Sequence, residues 1–192
     1  MRIVGGTHRG KKLHAPSSDA TRPTSDRVRE ALFNRLSHGF DDFALDGARV
    51  LDLFAGTGAL GLEAMSRGAN FALFVEDATP ARGLIRRNIE DMELTGQTKL
   101  FRRNALHLGP LKQQEPFSLI FLDPPYGKAM GERALASAIE GGWLADNALI
   151  ILEEAKASAI DWPDAVALLD ARAYGDTTIH FARYSGTSSP GA

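Results

Sequence analysis

The chain has 192 residues, of which 22 are Lys or Arg and 24 are Asp or Glu, and its formal net charge is −2. This length suits one domain of ordinary size, and 44% hydrophobic with 24% charged residues is a globular composition that excludes wholesale disorder. The chain contains no cysteine, which excludes a disulfide scaffold, a cysteine-ligated zinc, an iron–sulfur cluster and a thiol nucleophile.

The charges are unevenly distributed along the chain. Residues 1–40 carry eight Lys or Arg against three Asp or Glu, a net of +5, so the remaining residues carry a net of −7. A basic arm on an acidic body indicates contact with nucleic acid or a membrane surface, and a solvated basic hairpin is the alternative. No apolar run approaches the ~20 residues of a membrane span and the first residues lack a signal peptide's apolar region, so we expect a cytoplasmic protein without a membrane partner.

The N-terminal arm is predicted to form a hairpin followed by a helix. Extended runs at residues 2–5 and 11–15 predict the hairpin. After a loop, Thr24 or Ser25 caps a helix. Its apolar residues fall on one predicted buried stripe: Val28, Ala31, Leu32 and Leu36.

From Arg49 onward, strand patterns alternate with helix patterns. The predicted strands are 49–53, 71–75, 99–102, 117–122, 148–152, 165–169 and 177–184. The predicted helices are 58–67, 80–94 and 132–140. This alternation implies an α/β fold with a mostly parallel sheet, and the close C-terminal pair of strands implies an antiparallel edge. Because ligands bind beyond the C-terminal ends of such strands, the residues there are the candidates for function.

A glycine-rich loop follows the first strand. Gly56-x-Gly58-x-x-Gly61, with Glu76 20 residues past Gly56, matches the dinucleotide fingerprint, so a nicotinamide oxidoreductase is one hypothesis. Asp52 opposes it, because a carboxylate at the strand end suits a positively charged group such as the ammonium of a methionine moiety. The alternative is that the glycines only allow close strand–helix packing and that Asp52 caps a helix.

Polar residues also follow the second and third strands. The Glu76 carboxylate, with Asp77 in the next turn, is placed to accept the two hydroxyls of a ribose, although acids also favour helix N-termini for structural reasons. Asn104, beside Ala105, has the groups to meet an adenine edge, although Asn is equally typical of a turn.

The most specific feature of the sequence is Asp123-Pro124-Pro125-Tyr126, directly after the fourth strand. The two prolines fix φ and lack N–H donors, so the loop presents rigid carbonyl acceptors. The Asp123 carboxylate and the Pro124 carbonyl match the two N–H donors of an amino group on a planar ligand, and Tyr126 offers a ring for stacking. A proline-stiffened turn with a capping Asp is the alternative.

These motifs resemble those of a known enzyme class. Asp52–Gly58 resembles the glycine-rich motif of class I S-adenosylmethionine-dependent methyltransferases, and Asp123–Tyr126 resembles the (Asp/Asn/Ser)-Pro-Pro-(Tyr/Phe) motif of amino-methyltransferases. Further segments are similar to the RsmD family of bacterial 16S ribosomal RNA guanine-N2 methyltransferases: Arg2–Gly6, Arg9–Leu13, Arg22–Asn34 and Gly141–Leu144. The resemblance extends over residues 2–184.

The resemblance implies a fold and an activity. The fold is a Rossmann-like sheet of seven strands, mostly parallel, with an N-terminal hairpin and helix. Residues 1–40 would face RNA and 41–184 would form the methyltransferase domain, while the composition of residues 185–192 predicts a disordered tail. The activity is transfer of a methyl group from S-adenosylmethionine to the N2 amine of a guanine in ribosomal RNA, within the small subunit. Separately from the resemblance, one compact domain without an obvious apolar surface predicts a monomer.

The resemblance also assigns site residues, and no metal is among them. The methionine part of the cofactor would lie on Asp52, Phe54, Ala55, Gly56, Thr57 and Gly58. The ribose would lie on Glu76 with Asp77, and the adenine beside Asn104 and Ala105. The target guanine would lie on Asp123, Pro124, Pro125 and Tyr126. The RNA would bind Arg2, Arg9, Lys11, Lys12, Arg22, Arg27 and Arg29.

The expected chemistry is direct attack by the guanine N2 on the sulfonium methyl. Hydrogen bonds from the amine to Asp123 and Pro124 would free the nitrogen lone pair and stabilise the developing charge. Other amino substrates remain open at this point, namely DNA adenine or cytosine and protein glutamine. A nicotinamide oxidoreductase and a catalytically silent RNA-assembly factor are hypotheses from different functional classes.

Overall fold

The computed structural model describes residues 1–16, 25–156 and 158–186. The chain divides into two compact units, Met1–Arg102 and Arg103–Ala192. Seven strands belong to one mixed sheet, three of them from the first unit and four from the second. The seven-stranded, mostly parallel sheet is therefore confirmed. The division into a 1–40 arm, a 41–184 domain and a tail stays a prediction, and residues 187–192 of that tail lie outside the described residues.

The first unit begins with the predicted hairpin. Arg2 and Lys12 form an antiparallel bridge, and the Ile3 N–H donates to the Lys11 carbonyl at 2.9 Å. Helix α1 (Asp26–His38) starts after Ser25, whose hydroxyl accepts a hydrogen bond from the Val28 N–H at 3.3 Å. The serine therefore satisfies one of the free N–H groups of the first turn. Thr24, the other predicted cap, lies outside the described residues.

The buried face of α1 is rotated slightly from the predicted stripe, and two of the four predicted residues are replaced by their C-terminal neighbours or near neighbours. Its buried residues are Arg29, Leu32, Phe33 and Leu36. Val28 and Ala31, which the periodicity placed in the core, are only half-buried. The physical reason is that Arg29 faces inward, toward the buried Glu63. Hydrophobic periodicity does not predict a buried ion pair of this kind.

Three parallel strands complete the first unit. Strands β1 (Arg49–Leu53), β2 (Phe71–Val75) and β3 (Thr98–Phe101) have the order β3-β2-β1. They are connected by helices α2 (Ala59–Ser66) and α3 (Thr79–Asp91), with a short 3₁₀ turn at Thr95–Gln97. Leu53 pairs with Val75, and Val75 with Phe101. The strands therefore end level with one another, and the residues that follow them share one edge.

The second unit has one parallel pair of strands and two antiparallel pairs. After a 3₁₀ turn at Ala105–His107, its elements are β4 (Phe117–Leu122), α4 (Met130–Glu140), β5 (Leu144–Ala155), β6 (Val166–Tyr174) and β7 (Thr177–Tyr184). Strand β4 is parallel to β5, and β7 lies antiparallel between β5 and β6. Strand β5 extends beyond its predicted range at both ends, so Glu153 and Glu154 belong to the strand.

The core consists mainly of the apolar strand residues. Strands β1, β2 and β4 are buried over nearly their whole length, which is typical of a sheet covered on both faces. Within residues 1–16, 25–156 and 158–186, no helix combines the length and the apolar character needed to cross a membrane.

Candidate functional site

The glycine-rich loop between β1 and α2 has an unusual backbone. Phe54, Gly56 and Gly58 have φ values of 59°, 57° and 78°, so three of five successive residues are left-handed. Glycine adopts this conformation freely, whereas a bulky phenylalanine is strained there. Strain of this kind persists only where the surroundings enforce it, and it concentrates at ligand sites. The loop is therefore a candidate binding element on its backbone geometry alone.

Two predicted carboxylates hold the backbone of this loop. The Gly56 N–H donates to Glu76 Oε2 at 2.9 Å, and the Ala78 N–H donates to Glu76 Oε1 at 2.9 Å. The Gly61 N–H donates to Asp52 Oδ2 at 2.9 Å, and Asp52 is buried. Each carboxylate oxygen has a second lone pair, so these bonds leave acceptor capacity for a ligand. The ligand contacts of Asp52 and Glu76 remain predictions, as does that of Asp77, which is exposed.

A third side chain that holds this loop, Asn88, was not predicted from the sequence. Asn88 is fully buried on α3, and its amide nitrogen donates to the Thr57 carbonyl at 2.9 Å. The same amide accepts from the His14 N–H at 2.7 Å and donates to the His14 carbonyl at 3.1 Å. Asn88 therefore holds the centre of the loop and the end of the N-terminal hairpin together. The available signal was an asparagine between Ile85 and Ile89 on the apolar face of a helix.

Gly61, the third glycine of the motif, is required by packing. A Cβ at this position would lie 2.4 Å from Cε1 of Phe74 and 3.0 Å from Oδ2 of Asp52. Phe74 is completely buried, so its ring has no space to move into. For this glycine the packing interpretation is confirmed.

Gly61→Ala is expected to lower the free energy of unfolding by about 1–3 kcal/mol, the usual effect of overpacking a core. Chemical denaturation monitored by circular dichroism measures it. Gly83→Ala on α3 is the matched control, because a Cβ there meets nothing within 4 Å. The control is expected to be neutral or to stabilise by up to about 1 kcal/mol through helix propensity. Equal stability of the two variants would contradict the packing argument.

In the second unit, Asn104 has a local structural role. Its Oδ1 accepts a hydrogen bond from the Leu106 N–H at 2.9 Å and so caps the 3₁₀ turn. This is the turn-forming role given above as the alternative. Asn104 is exposed and Ala105 is buried. Contacts of either residue with adenine remain predictions.

The Asp123–Tyr126 loop begins where β4 ends. Asp123 is partly buried, Pro124 is buried and Pro125 is exposed. The Tyr126 ring is 41% exposed, and its hydroxyl donates to Glu153 Oε1 at 2.7 Å. Glu153 was not predicted as a site residue, because its contact with Tyr126 depends on β5 continuing beyond residue 152. The loop therefore presents an acid and an anchored aromatic ring.

The acid of this loop has an altered proton affinity. Burial, followed by the negative charges of Glu153 and Glu154, raises the pKa of Asp123 to about 8. Burial and the hydrogen bond to Glu153 raise the pKa of Tyr126 above its usual range. A raised pKa makes Asp123 a stronger proton acceptor than an ordinary aspartate.

The basic arm presents most of the predicted cations to solvent. Five of them are exposed: Arg2, Arg9, Lys11, Lys12 and Arg27. Arg2 also lies 3.4 Å from the Asp26 carboxylate. Arg22 lies outside the described residues.

Arg29 requires a correction. Its side chain is buried, donates to Asp26 Oδ1 at 2.8 Å and to the Arg2 carbonyl, and has its Nε 3.7 Å from Glu63 Oε2. A guanidinium enclosed by its own ion pairs does not reach a phosphate. Arg29 is therefore a structural residue that attaches the arm to α2, and the prediction that it binds RNA is wrong.

Sequence comparison establishes the family. Residues 1–183 match the family model described as Conserved hypothetical protein 95. The chain is 42% identical over 154 residues to Ribosomal RNA small subunit methyltransferase D of Escherichia coli K12, covering 80% of this chain and 74% of that protein. The chain belongs to this family. Its resemblance to the RsmD family is thereby confirmed, and the nicotinamide oxidoreductase hypothesis is set aside.

A second sequence match and a solved structure agree with membership of the RsmD family. Ribosomal RNA small subunit methyltransferase D of Haemophilus influenzae is 34% identical over 177 residues, covering 91% of this chain and 89% of that protein. The solved structure of yhhF from Escherichia coli has a TM-score of 0.83 at 32% identity, covering 97% of this chain and 99% of that one. With the strand pairing described above, the Rossmann-like class I methyltransferase fold is confirmed.

Proposed function

We propose that this chain transfers the methyl group of S-adenosylmethionine to the exocyclic N2 amine of a guanine in 16S ribosomal RNA. The observation that carries the proposal is the Asp123-Pro124-Pro125-Tyr126 loop at the end of β4, in a member of the RsmD family. We further propose that the protein acts as a cytoplasmic monomer on the assembled small subunit, where the target base is presented by folded RNA.

The residues of the first unit fit S-adenosylmethionine. The backbone is left-handed at residues 54, 56 and 58, and Gly56 and Gly58 have no Cβ atoms to obstruct a ligand. Asp52 and Glu76 supply carboxylates at the same edge. Asp52 would hold the ammonium of the methionine part and Glu76 the ribose hydroxyls. When bound, the cofactor supplies an electrophilic methyl group on a sulfonium.

The acceptor loop supplies the groups that an amine nucleophile needs. The Asp123 carboxylate and the Pro124 carbonyl would accept the two N–H donors of the amine, which would keep its nitrogen lone pair available for attack. Tyr126 stacks on the base, which must leave its helix to reach the loop. Asp123 takes the proton that the amine loses as the N–C bond forms and the S–C bond breaks.

The exposed cations of the arm would bind the RNA through its phosphates. They lie on the hairpin and on the first turn of α1, in the part of the chain that carries a net +5. Binding of this kind depends strongly on salt, because each neutralised phosphate releases condensed counterions.

Charge reversal of both Lys11 and Lys12 to Glu is expected to weaken RNA binding at least about tenfold at 0.1 M salt. The slope of log affinity against log salt should fall in magnitude by about 1.4–1.8, since two phosphate contacts are lost. Filter binding over a salt series measures both quantities. Calorimetry with S-adenosylmethionine should give an unchanged Kd, and Lys99→Glu, an exposed site on β3, should alter neither RNA nor cofactor binding. Equal loss of RNA and cofactor binding would indicate misfolding and would contradict the assignment of the arm.

The decisive test of the proposed function is nucleoside mass spectrometry of ribosomal RNA from a strain that lacks this protein. The expected result is the loss of N2-methylguanosine at one 16S position, restored by the wild-type gene. Purified protein should then methylate small subunits isolated from that strain faster than protein-free 16S RNA. An unchanged N2-methylguanosine content, or the loss of a methylated adenine or cytosine instead, would overturn the proposal.

A further inference from the structure

We propose that Glu153 is a positioning residue that controls the acceptor loop in two ways. Its carboxylate holds the Tyr126 hydroxyl, and its negative charge keeps Asp123 a strong proton acceptor. The proposal deepens the methyl transfer described above and rests on it.

Strand pairing brings Glu153 next to Asp123. In the parallel pair β4–β5, Phe121 is in register with Ile151, and Leu122 with Leu152. Asp123 directly follows β4, and Glu153 directly follows Leu152 on β5, so the two acids each come one residue after a paired position. Neighbouring strands lie about 4.8 Å apart, so charges on residues at these positions are close enough to influence each other. Glu153 is also buried, so water screens this interaction weakly.

A second contact connects Glu153 to the aromatic side chain of the loop. The Tyr126 ring is 41% exposed, and the 2.7 Å bond from its hydroxyl to Glu153 Oε1 restrains its orientation. The neighbouring Glu154 instead accepts hydrogen bonds from the backbone N–H groups of Gly127 and Ala155, at 3.0 and 2.7 Å. Glu153 thus orients the ring, and Glu154 fixes the backbone.

The groups around Asp123 affect its pKa in different ways. Burial, Glu153 and Glu154 raise the pKa of Asp123, and Tyr126 faces the same cluster as a neutral hydroxyl. Burial lowers the pKa of His180 on β7, and the negative charge of Glu154 opposes this effect. The two glutamates therefore make Asp123 a better base for the proton that leaves the amine when the N–C bond forms and the S–C bond breaks. Asp123 then returns this proton to solvent.

Two nearly isosteric substitutions separate the two roles. Glu153→Gln removes the charge and keeps an oxygen that accepts from Tyr126, whereas Tyr126→Phe removes the hydrogen bond and keeps the charge. For the wild type, kcat/KM for methyl transfer should rise with pH through about 8, as Asp123 loses its proton. Glu153→Gln should move this rise to lower pH, with more activity than the wild type at pH 6.5 and an unchanged KM for RNA.

Tyr126→Phe should leave the pH of the rise in place and lower kcat/KM about tenfold, the effect expected from losing one hydrogen bond to a charged group. Glu140→Gln, an exposed acid at the end of α4, is the matched control and should change neither quantity. A pH profile that stays in place or moves to higher pH in Glu153→Gln overturns the charge role. A Tyr126→Phe enzyme with wild-type kcat/KM overturns the orienting role.

A measurement without RNA separates this inference from the proposed function. Carbon-13 NMR of labelled aspartate carboxyls follows the titration of Asp123 in the wild-type protein and in Glu153→Gln. A titration above pH 7 that falls in the variant supports the charge role, whichever base is methylated. A wild-type Asp123 that titrates below pH 6 overturns it, even if methyl transfer to guanine is established.

Discussion

The Asp123→Ala protein is expected to bind S-adenosylmethionine with wild-type affinity and to transfer its methyl group at least about 100-fold more slowly at pH 8.5. Loss of a positioned proton acceptor typically slows a reaction by about 10²–10⁴-fold, and the alanine also removes an acceptor for one N–H of the amine. Single-turnover methylation of small subunits measures the chemical step. Calorimetry measures the cofactor affinity.

Asp123→Asn adds a test with a defined dependence on pH. Its amide resembles the protonated acid, and the wild-type acid ionises only as the pH rises through about 8. The ratio of wild-type to variant rates should therefore grow between pH 6.5 and pH 9. Asp161→Ala, an exposed acid of the same unit, is the control and should retain wild-type rates throughout. An Asp123→Ala enzyme within about threefold of the wild type would remove Asp123 from the mechanism.

The second large effect is expected from Glu63→Leu, which should lower the free energy of unfolding by about 3–5 kcal/mol. Glu63 is fully buried on α2, 2.7 Å from Nε of Arg67 and 3.7 Å from Nε of Arg29. It also accepts a hydrogen bond from the Val4 N–H at 2.8 Å. The leucine therefore removes the carboxylate that Arg67 and Arg29 share and the acceptor of a backbone N–H, while Arg29 keeps its hydrogen bond to Asp26.

Urea denaturation of the purified protein measures this effect. Glu63→Gln should be less harmful than the leucine variant, because its amide oxygen still accepts from Val4. Glu90→Leu, at an exposed position on α3, is the control and should change stability by no more than about 0.5 kcal/mol. A loss below about 1 kcal/mol in Glu63→Leu would show that the ion pairs contribute little to attaching the hairpin and α1.

Some strands could be predicted with the correct first and last residues. In these strands the apolar run ends abruptly at a polar residue or a turn. Strands β1, β2, β4 and β7 match their predicted bounds, because glycines, acids or turn residues adjoin them. Strand β5 was predicted too short, since polar residues at its start and Glu153 and Glu154 at its end resemble a loop. Strand β6 was predicted too short because it is an edge strand with mostly exposed residues.

The residues of the candidate site that could be predicted are those at the ends of strands. Asp52, Glu76 and Asp123 each stand where a strand ends, and position along the chain is sufficient to find such residues. Asn88 and Glu153 act through partners 31 and 27 residues away, Thr57 and Tyr126, so no local pattern reveals them. Arg29 was misassigned because its pairing with Glu63 depends on how α1 packs on α2.

The amide of Asn88 has a consequence for how ligands bind to the first unit. It holds the His14 backbone and the Thr57 carbonyl at once, so restraining either segment restrains the other. A molecule that orders the loop lowers the entropy lost when another molecule orders the hairpin. Thermodynamic reciprocity requires each to strengthen the other by the same factor. Under the proposed function, we therefore expect occupancy of the loop and RNA binding by the arm to strengthen each other through this buried asparagine.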